Sequence, residues 1–257
     1  MKASELFDLS GKVAIVTGGG TGIGRQMAEG LAEMGADLVL CSRHLDRVQR
    51  TAGDLRKLGV RAIGLRCDLR DGREIETVVE RTISELGRID VLVNNSGTAW
   101  GAPAEEMPLD GWQKVVDVNL TGTFLFSQAA GRAMIDQGAG KIVNIASVTG
   151  LVGSPPEILD SVPYNATKGA ILSLTRDLAV KWARHGITVN AIAPGWFPTE
   201  LTNAVLDRSG DQLRESIPLR RFGSPDDLKG AIVFLASAAS DYVTGQTLVV
   251  DGGHSAW

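Results

Sequence analysis

Residues 12–43 read KVAIVTGGGTGIGRQMAEGLAEMGADLVLCSR. Lys12 to Thr17 form a near-continuous aliphatic run, which predicts a strand buried on both faces. Gly18-Gly19-Gly20-Thr21-Gly22-Ile23-Gly24 follows, and Gly22–Met34 then carries apolar residues at helical spacing. A second strand, ADLVLCS from Ala36, completes a strand–loop–helix–strand unit. Gly18 permits a tight turn. Gly22 has no Cβ, so a pyrophosphate can approach the backbone, and Gly24 lets the helix pack close to the sheet. The helix start adds free N–H groups and the positive end of its dipole. A glycine-rich run alone is weak evidence, because ordinary turns are glycine-rich too. Between a strand and a helix it predicts a dinucleotide site at Gly18, Thr21, Gly22, Ile23 and Gly24.

The same alternation runs outward from this unit. RAIGLRC (from Arg61), DVLVNN (from Asp90), KIVNIAS (from Lys141), TVNAIA (from Thr188) and QTLVVDG (from Gln246) read as further strands. Leu45–Leu58 and Arg73–Leu86 have helical spacing between them. Seven such strands joined by helical crossovers predict an α/β fold: a doubly wound, mostly parallel seven-stranded sheet with helices on both faces. One Rossmann-type domain over residues 1–257 is the simplest organisation. The rhythm breaks at about 195–225, where Pro198, Gly210 and Pro218 interrupt a polar, partly helical stretch. A long insertion leaving the sheet there predicts a lid.

Bulk properties narrow the function. The 26 basic and 30 acidic residues are dispersed, with no basic stripe, which argues against nucleic acid and anionic membranes as partners. No stretch of about 18 apolar residues is long enough to span a bilayer. MKASELFDLSGK lacks an apolar h-region, so no signal peptide is expected. Cys41 and Cys67 lie inside apolar strands and read as buried thiols of a cytoplasmic protein. His44, His185 and His254 are scattered, so no metal is expected.

The end of the second strand bears on which dinucleotide binds. An acid about 20 positions after the glycines would hold a ribose 2′-hydroxyl and select NAD. Counting from Gly22, that position is Ser42, followed by Arg43. A hydroxyl and a guanidinium suit a 2′-phosphate, so NADP is the expected cofactor.

The chemistry is written further along. Tyr164 and Lys168 stand four residues apart at the start of a helical segment, Asn165 to Arg184, and share a face. A nearby ammonium favours the phenolate, which predicts a lowered pKa and a usable acid/base at Tyr164. Ser147 follows the strand KIVNIA at the carboxyl edge of the sheet, where ligands bind. Asn119 ends an apolar helical turn and is either a satisfied amide or part of a proton relay.

Together, Thr17-Gly18-x-x-x-Gly22-x-Gly24, Asn94-Asn95-Ser96-Gly97, Asn119, Ser147, Tyr164-x-x-x-Lys168 and Pro194-Gly195 resemble the short-chain dehydrogenase/reductase family over nearly the whole chain. Two departures stand out: Ser96 replaces the more usual alanine, and the loop from Ser147 to Tyr164 is a few residues longer. The resemblance implies hydride transfer between a nicotinamide and a carbonyl or secondary alcohol. Tyr164 would exchange the proton, Lys168 would tune it and hold the ribose, Ser147 would polarise the carbonyl, and Asn119 would hold a relay water. Asn95, Ser96 and Gly97 would lie along the cofactor. Asp68 would meet the adenine with Leu69 next in sequence, and Pro194 and Gly195 would pass beside the nicotinamide.

Two other classes fit less well. A non-catalytic dinucleotide-binding module has no physical need for all four polar residues, and an epimerase would carry a longer substrate domain. For the substrate, Trp100, Val148, Thr149, Leu151, Pro155, Pro156, Ile158, Leu159 and Trp196 are the expected pocket walls. Their apolar character predicts a hydrophobic ketone or 3-oxoacyl thioester. The alternative is a sugar acid or polyol, as in gluconate 5-dehydrogenases, with Arg208 and Arg214 as candidate cations. The apolar segments Gly169–Trp182 and Phe124–Met134 offer more apolar surface than one sheet face needs, and relatives pair these helices between subunits, so a homotetramer is expected.

Overall fold

A computed structural model describes residues 2–256. The first strand, β1 (Val13–Thr17), is buried at every position, as its aliphatic run requires. It leads through the glycine loop into α1 (Gly22–Glu33) and β2 (Asp37–Ser42). Then follow α2 (Leu45–Leu55), β3 (Ala62–Arg66), α3 (Gly72–Leu86) and β4 (Val91–Asn94). The second half comprises α4 (Leu109–Val116), α5 (Gly122–Gln137), β5 (Gly140–Ile145), α6 (Val162–Trp182) and β6 (Ile187–Pro194). It ends with α7 (Asn203–Ser216), α8 (Lys229–Ala236) and β7 (Thr247–Val250).

All seven strands are parallel, in the order β3-β2-β1-β4-β5-β6-β7. The order reverses direction between β1 and β4, which opens a crevice at the carboxyl ends of those strands. Side chains alternate across the sheet. Ala14, Val16, Leu38 and Leu40 face the layer holding α1, α2 and α8. Val13, Ile15, Val39 and Cys41 face the layer of α3, α5 and α6. Both thiols, Cys41 and Cys67, are free and buried.

One boundary near the site differs from the sequence reading. Helix α6 begins at Val162 rather than Asn165, with Pro163 in its first turn, where its missing N–H is harmless. Tyr164 therefore sits inside the helix rather than ahead of it. The segment after β6 contains α7, whose backbone leaves helical geometry at Ser209. Its apolar side, Leu213, packs with Ile158, Trp196 and Ile217 into a small core of its own, separate from the sheet. Among the described residues no helix is long and apolar enough to cross a membrane.

Candidate active site

The glycine loop is built by contacts that forbid side chains. Gly18 and Gly22 have φ of +67° and +53°, where L residues are strained. A Cβ on Gly24 would lie 2.3 Å from Asn95 Nδ2 and 2.5 Å from the Gly18 carbonyl oxygen. Thr17 locks this loop to the end of β4: its Oγ1 accepts the N–H groups of Asn95 and Ser96, both at 2.9 Å. Asn95 Nδ2 returns a 2.9 Å bond to the Thr17 carbonyl. The residue preceding α1, Thr21, gives no side-chain cap, and no acidic residue stands in the first turn. The leading N–H groups of α1 thus have no side-chain acceptor of their own, as an anion site requires.

Every residue expected to meet the cofactor lines one cleft of about 430 Å³ at the carboxyl edge of the sheet. Gly18, Thr21, Gly22, Ile23 and Gly24 line it from the glycine loop, with Ser42, Arg43, Asp68 and Leu69 at one end. Asn95, Ser96 and Gly97 form the middle, and Ser147, Tyr164, Lys168, Pro194 and Gly195 the other end. Ser42 is held in a turn, its Oγ accepting from His44 N and donating to His44 O, both at 3.1 Å. Asp68 is held down to about 2, chiefly by the hydrogen-bonded Arg70 guanidinium, with Arg43 adding a smaller pull. The segment expected to form a lid gives the cleft one wall, through residues the sequence did not single out: Thr199, Glu200, Leu201 and Thr202. Nothing in their spacing marks them, because the stretch lacks any periodicity.

Asn119 stands behind the cleft, buried, in a π-helical turn (Asp117–Thr121) between α4 and α5. Such turns recur at functional sites because they re-aim one side chain. Asn119 Oδ1 accepts from Thr98 N at 2.8 Å, and Nδ2 donates to Thr98 O at 3.0 Å and Thr167 Oγ1 at 3.2 Å. Gly97 lies between it and Lys168: a Cβ there would be 3.6 Å from Asn119 Oδ1 and 3.8 Å from Lys168 Nζ. Lys168 is buried and donates to the Ile145 carbonyl at 2.7 Å. Burial lowers its pKa to about 8. The Lys168 ammonium lies 5.6 Å from the centre of the Tyr164 ring. The expected fall in the tyrosine pKa is not found. Desolvation pushes Tyr164 up and outweighs the hydrogen bond from Ser147, which pulls it down.

Ser147 is the best-defined of the candidate catalytic groups. Its Oγ accepts from Thr149 N at 3.2 Å and from Thr149 Oγ1 at 3.0 Å. A hydroxyl accepts two hydrogen bonds and donates one. With both acceptor positions filled, the Ser147 proton is left to point at Tyr164 and whatever oxygen lies beside it.

A second cavity of about 70 Å³ opens off the same place, sharing Ser147, Tyr164 and Gly195 with the cleft. Val148, Thr149, Leu159 and Trp196 line it as expected, joined by Ala99, Leu201, Thr202 and Val205. Trp100 does not reach it. Its ring packs on Gly111 of α4, with the Lys114 ammonium 5.1 Å from the ring centre. Leu151, Pro155 and Pro156 are exposed on the outside of the loop, and Ile158 faces the core under α7. Neither proposed cation lines it. Arg208 donates to the carbonyls of Glu157 and Ile158, and Arg214 pairs with Asp211 at 2.9 Å.

Residues 18–255 match the family model described as enoyl-(acyl carrier protein) reductase. The chain belongs to the short-chain dehydrogenase/reductase family. It is accordingly an NAD(P)-dependent oxidoreductase acting on CH–OH groups. This dehydrogenase/reductase is 40% identical to the 5-keto-D-gluconate 5-reductase of Escherichia coli K12, over 97% of this chain and 98% of that one. It superposes at a TM-score of 0.95 on a short-chain type dehydrogenase/reductase from Mycobacterium marinum, 40% identical, covering 99% of both chains. A gluconate 5-dehydrogenase from Burkholderia cenocepacia, solved in complex with NADP and tartrate, gives a TM-score of 0.94 at 41% identity over the full length of both.

Proposed function

We propose that this dehydrogenase/reductase interconverts a secondary alcohol and a ketone on a sugar acid or polyol, using NADP(H). The observation that carries the reading is the junction of the two cavities, where Ser147, Tyr164 and Gly195 wall both a cofactor-sized cleft and a small side pocket. The nicotinamide supplies the hydride chemistry. The protein's own residues manage the proton. Tyr164 gives a proton to the ketone oxygen in reduction and takes it from the alcohol in oxidation. Ser147 donates to that oxygen as charge develops on it, because Thr149 fills its lone pairs. Lys168 tunes Tyr164 and holds the ribose. Asn119 braces the Gly97–Ala99 wall through Thr98, and the absent side chain at Gly97 leaves space for a relay water beside Lys168. For NADP, the support is the Ser42–Arg43 pair at the cleft's end and NADP in the Burkholderia relative's structure.

The sugar-acid reading supersedes a 3-oxoacyl thioester as first choice. The gluconate-named relatives match over nearly full length. The segment at 195–225 would serve as lid. A homotetramer is favoured by apolar residues exposed on α5 and α6, including Phe124 and Val180. Unpaired cysteines and a nicotinamide cofactor fit the cytoplasm. The test is Tyr164→Phe, which keeps the ring and removes the titrating oxygen. Cofactor binding should persist while turnover of 5-ketogluconate with NADPH falls about 10²–10⁴-fold. Near-full turnover would remove Tyr164 from the mechanism.

A further inference from the structure

We infer that Trp196 is a specificity-determining residue of this dehydrogenase/reductase: its indole N–H holds an oxygen that the substrate carries beside the reacting carbon. The inference deepens the proposed function and rests on it for the seating of the reacting oxygen between Ser147 and Tyr164.

The backbone fixes Trp196 before its side chain does. Gly195 N donates to the Val250 carbonyl at 3.0 Å, and the Trp196 carbonyl accepts from Gly223 N at 2.9 Å. A Cβ on Gly195 would lie 2.7 Å from Asp251 Cβ, so the chain runs tight against the end of β7. The indole then packs with Ile158, Leu213 and Ile217 and walls the side pocket. Trp196 is 9% exposed, and its Nε1 is buried with no hydrogen-bond partner. An indole N–H can only donate, and a buried one ordinarily finds an acceptor.

The surrounding protein supplies none. Trp196 also borders a space beside β7, where Arg221 and Ser224 hold the Asp227 carboxylate and Gly253 and Ser255 hold that of Asp251. On the pocket wall, Thr149 fills both acceptor positions of Ser147. Thr202 Oγ1 donates to the Phe197 carbonyl at 2.6 Å and accepts from Thr199 N at 3.0 Å. The missing acceptor therefore arrives with whatever enters the pocket, which opens beside Ser147 and Tyr164. Leu201, Thr202 and Val205 of the same wall belong to the segment proposed as lid, the part of the pocket free to close on what enters. Thr149 adds a second demand. Its Oγ1 gives its proton to Ser147 and keeps lone pairs that accept. A substrate hydroxyl can take the indole proton and give its own to Thr149. A carboxylate oxygen takes the indole proton alone, and a methyl group does neither.

The experiment compares three small ketones with NADPH. In butanone a methyl group replaces the hydroxyl of hydroxyacetone, and pyruvate puts a carboxylate oxygen in the same place. An oxygen-bearing ketone should be favoured over butanone in kcat/KM by at least about tenfold, because a site built around a hydrogen bond rejects the analogue that lacks it. Replacing Trp196 by β-(3-benzothienyl)alanine keeps the ring's shape and puts sulfur where the N–H was. The ratio should then fall towards one, while butanone reduction and NADPH binding stay unchanged. A loss confined to hydroxyacetone identifies the ligand as a hydroxyl, and a loss confined to pyruvate as a carboxylate. No preference over butanone in the native protein, or a preference unmoved by the sulfur analogue, would overturn the role of Trp196. 5-Ketogluconate separates this inference from the reading beneath it. Its turnover should fall by a similar factor in the analogue. Equal turnover in both proteins would overturn the role of Trp196 and leave the sugar-acid reading intact. A preference for hydroxyacetone that depends on Trp196, with no turnover of 5-ketogluconate, would overturn the sugar-acid reading and keep Trp196. No reduction of any of these compounds would overturn both.

Discussion

Thr149 shows how one residue sets the chemistry of another. Alone, Ser147 could present its lone pairs or its proton to the substrate. Two bonds from Thr149 remove the first option. Thr149→Val keeps the shape and the backbone bond but deletes the side-chain donor, freeing the Ser147 hydroxyl to turn. It should lower kcat with little change in KM for cofactor, and Thr149→Ser should restore most of the loss. An unchanged kcat in the valine variant would deny Thr149 this positioning role. The pH response follows from the pair beside it. Burial lowers Lys168 to about 8 and raises Tyr164, so the first proton lost by the pair leaves at about 8, whichever side chain carries the change. Oxidation needs the pair one proton short and should rise as pH passes that value. Reduction needs the full complement and should fall over the same range. In Lys168→Arg, with a group that does not titrate, both inflections should move to higher pH. At the cofactor's other end, Ser42→Asp places an acid where a 2′-phosphate would sit, and the ratio of kcat/KM for NADPH over NADH should fall sharply. A wild-type preference for NADH would defeat the NADP assignment. Ser147, Tyr164, Lys168 and Ser42 were readable from sequence because each stands at a fixed offset from a strand end or on one helix face. The role of Thr149 was not, since a hydroxyl's partner depends on a local turn that spacing does not encode.

Among elements, the strands and the first three helices declared themselves by period and by the glycine loop. Their ends shifted by a few residues, as at α6, where Val162, followed by Pro163, starts the helix that the sequence reading began at Asn165. The segment after β6 was legible only as an interruption. Its contribution to the cleft depends on contacts across more than 150 residues of chain, which no local pattern carries. The clearest is Arg47 at the start of α2, whose Nη1 meets Glu200 Oε2 at 2.7 Å. Thr199 lies against Gly22, within 3.2 Å of where a Cβ would stand. The segment therefore rests on the phosphate loop and is tied to α2 beyond it. If this contact holds the lid over bound cofactor, Glu200→Gln should speed NADP+ release in stopped-flow measurements by about two- to fivefold, the range open to an exposed ion pair. High salt should do the same to the native protein and leave the variant unmoved. A charge-swapped pair, Arg47→Glu with Glu200→Arg, should recover the slow rate. Release insensitive to all three would mean that the pair is an idle surface contact.

At the scale of the molecule, both layers on the sheet expose some apolar side chains, Leu45 of α2 at 38% among them, but the most exposed lie on one layer. The α1, α2 and α8 layer buries Met27, Leu31, Val48, Ala52, Leu55 and Ile232 against the sheet. The opposite layer leaves apolar groups outside: Phe124 of α5 is 39% exposed, Leu109 of α4 is 77% exposed and Val180 of α6 is 80% exposed. The edge strand β7 adds Leu248 and Val249, each 37% exposed on opposite sides of the sheet. Singly such residues are ordinary on a surface. Spread over adjoining helices and over the far edge, they are the faces on which the proposed homotetramer would pair, through two perpendicular two-fold contacts. Light scattering at micromolar concentration should give the mass of four chains. Phe124→Glu with Val180→Glu puts like charges across one contact and should leave dimers, while Leu248→Glu with Val249→Glu should leave dimers of the other kind. Both sets of changes lie away from Ser147, Tyr164 and Lys168, so the dimers should retain turnover per subunit if each site is complete in one chain. A native protein that scatters as a monomer would show that these faces meet only water.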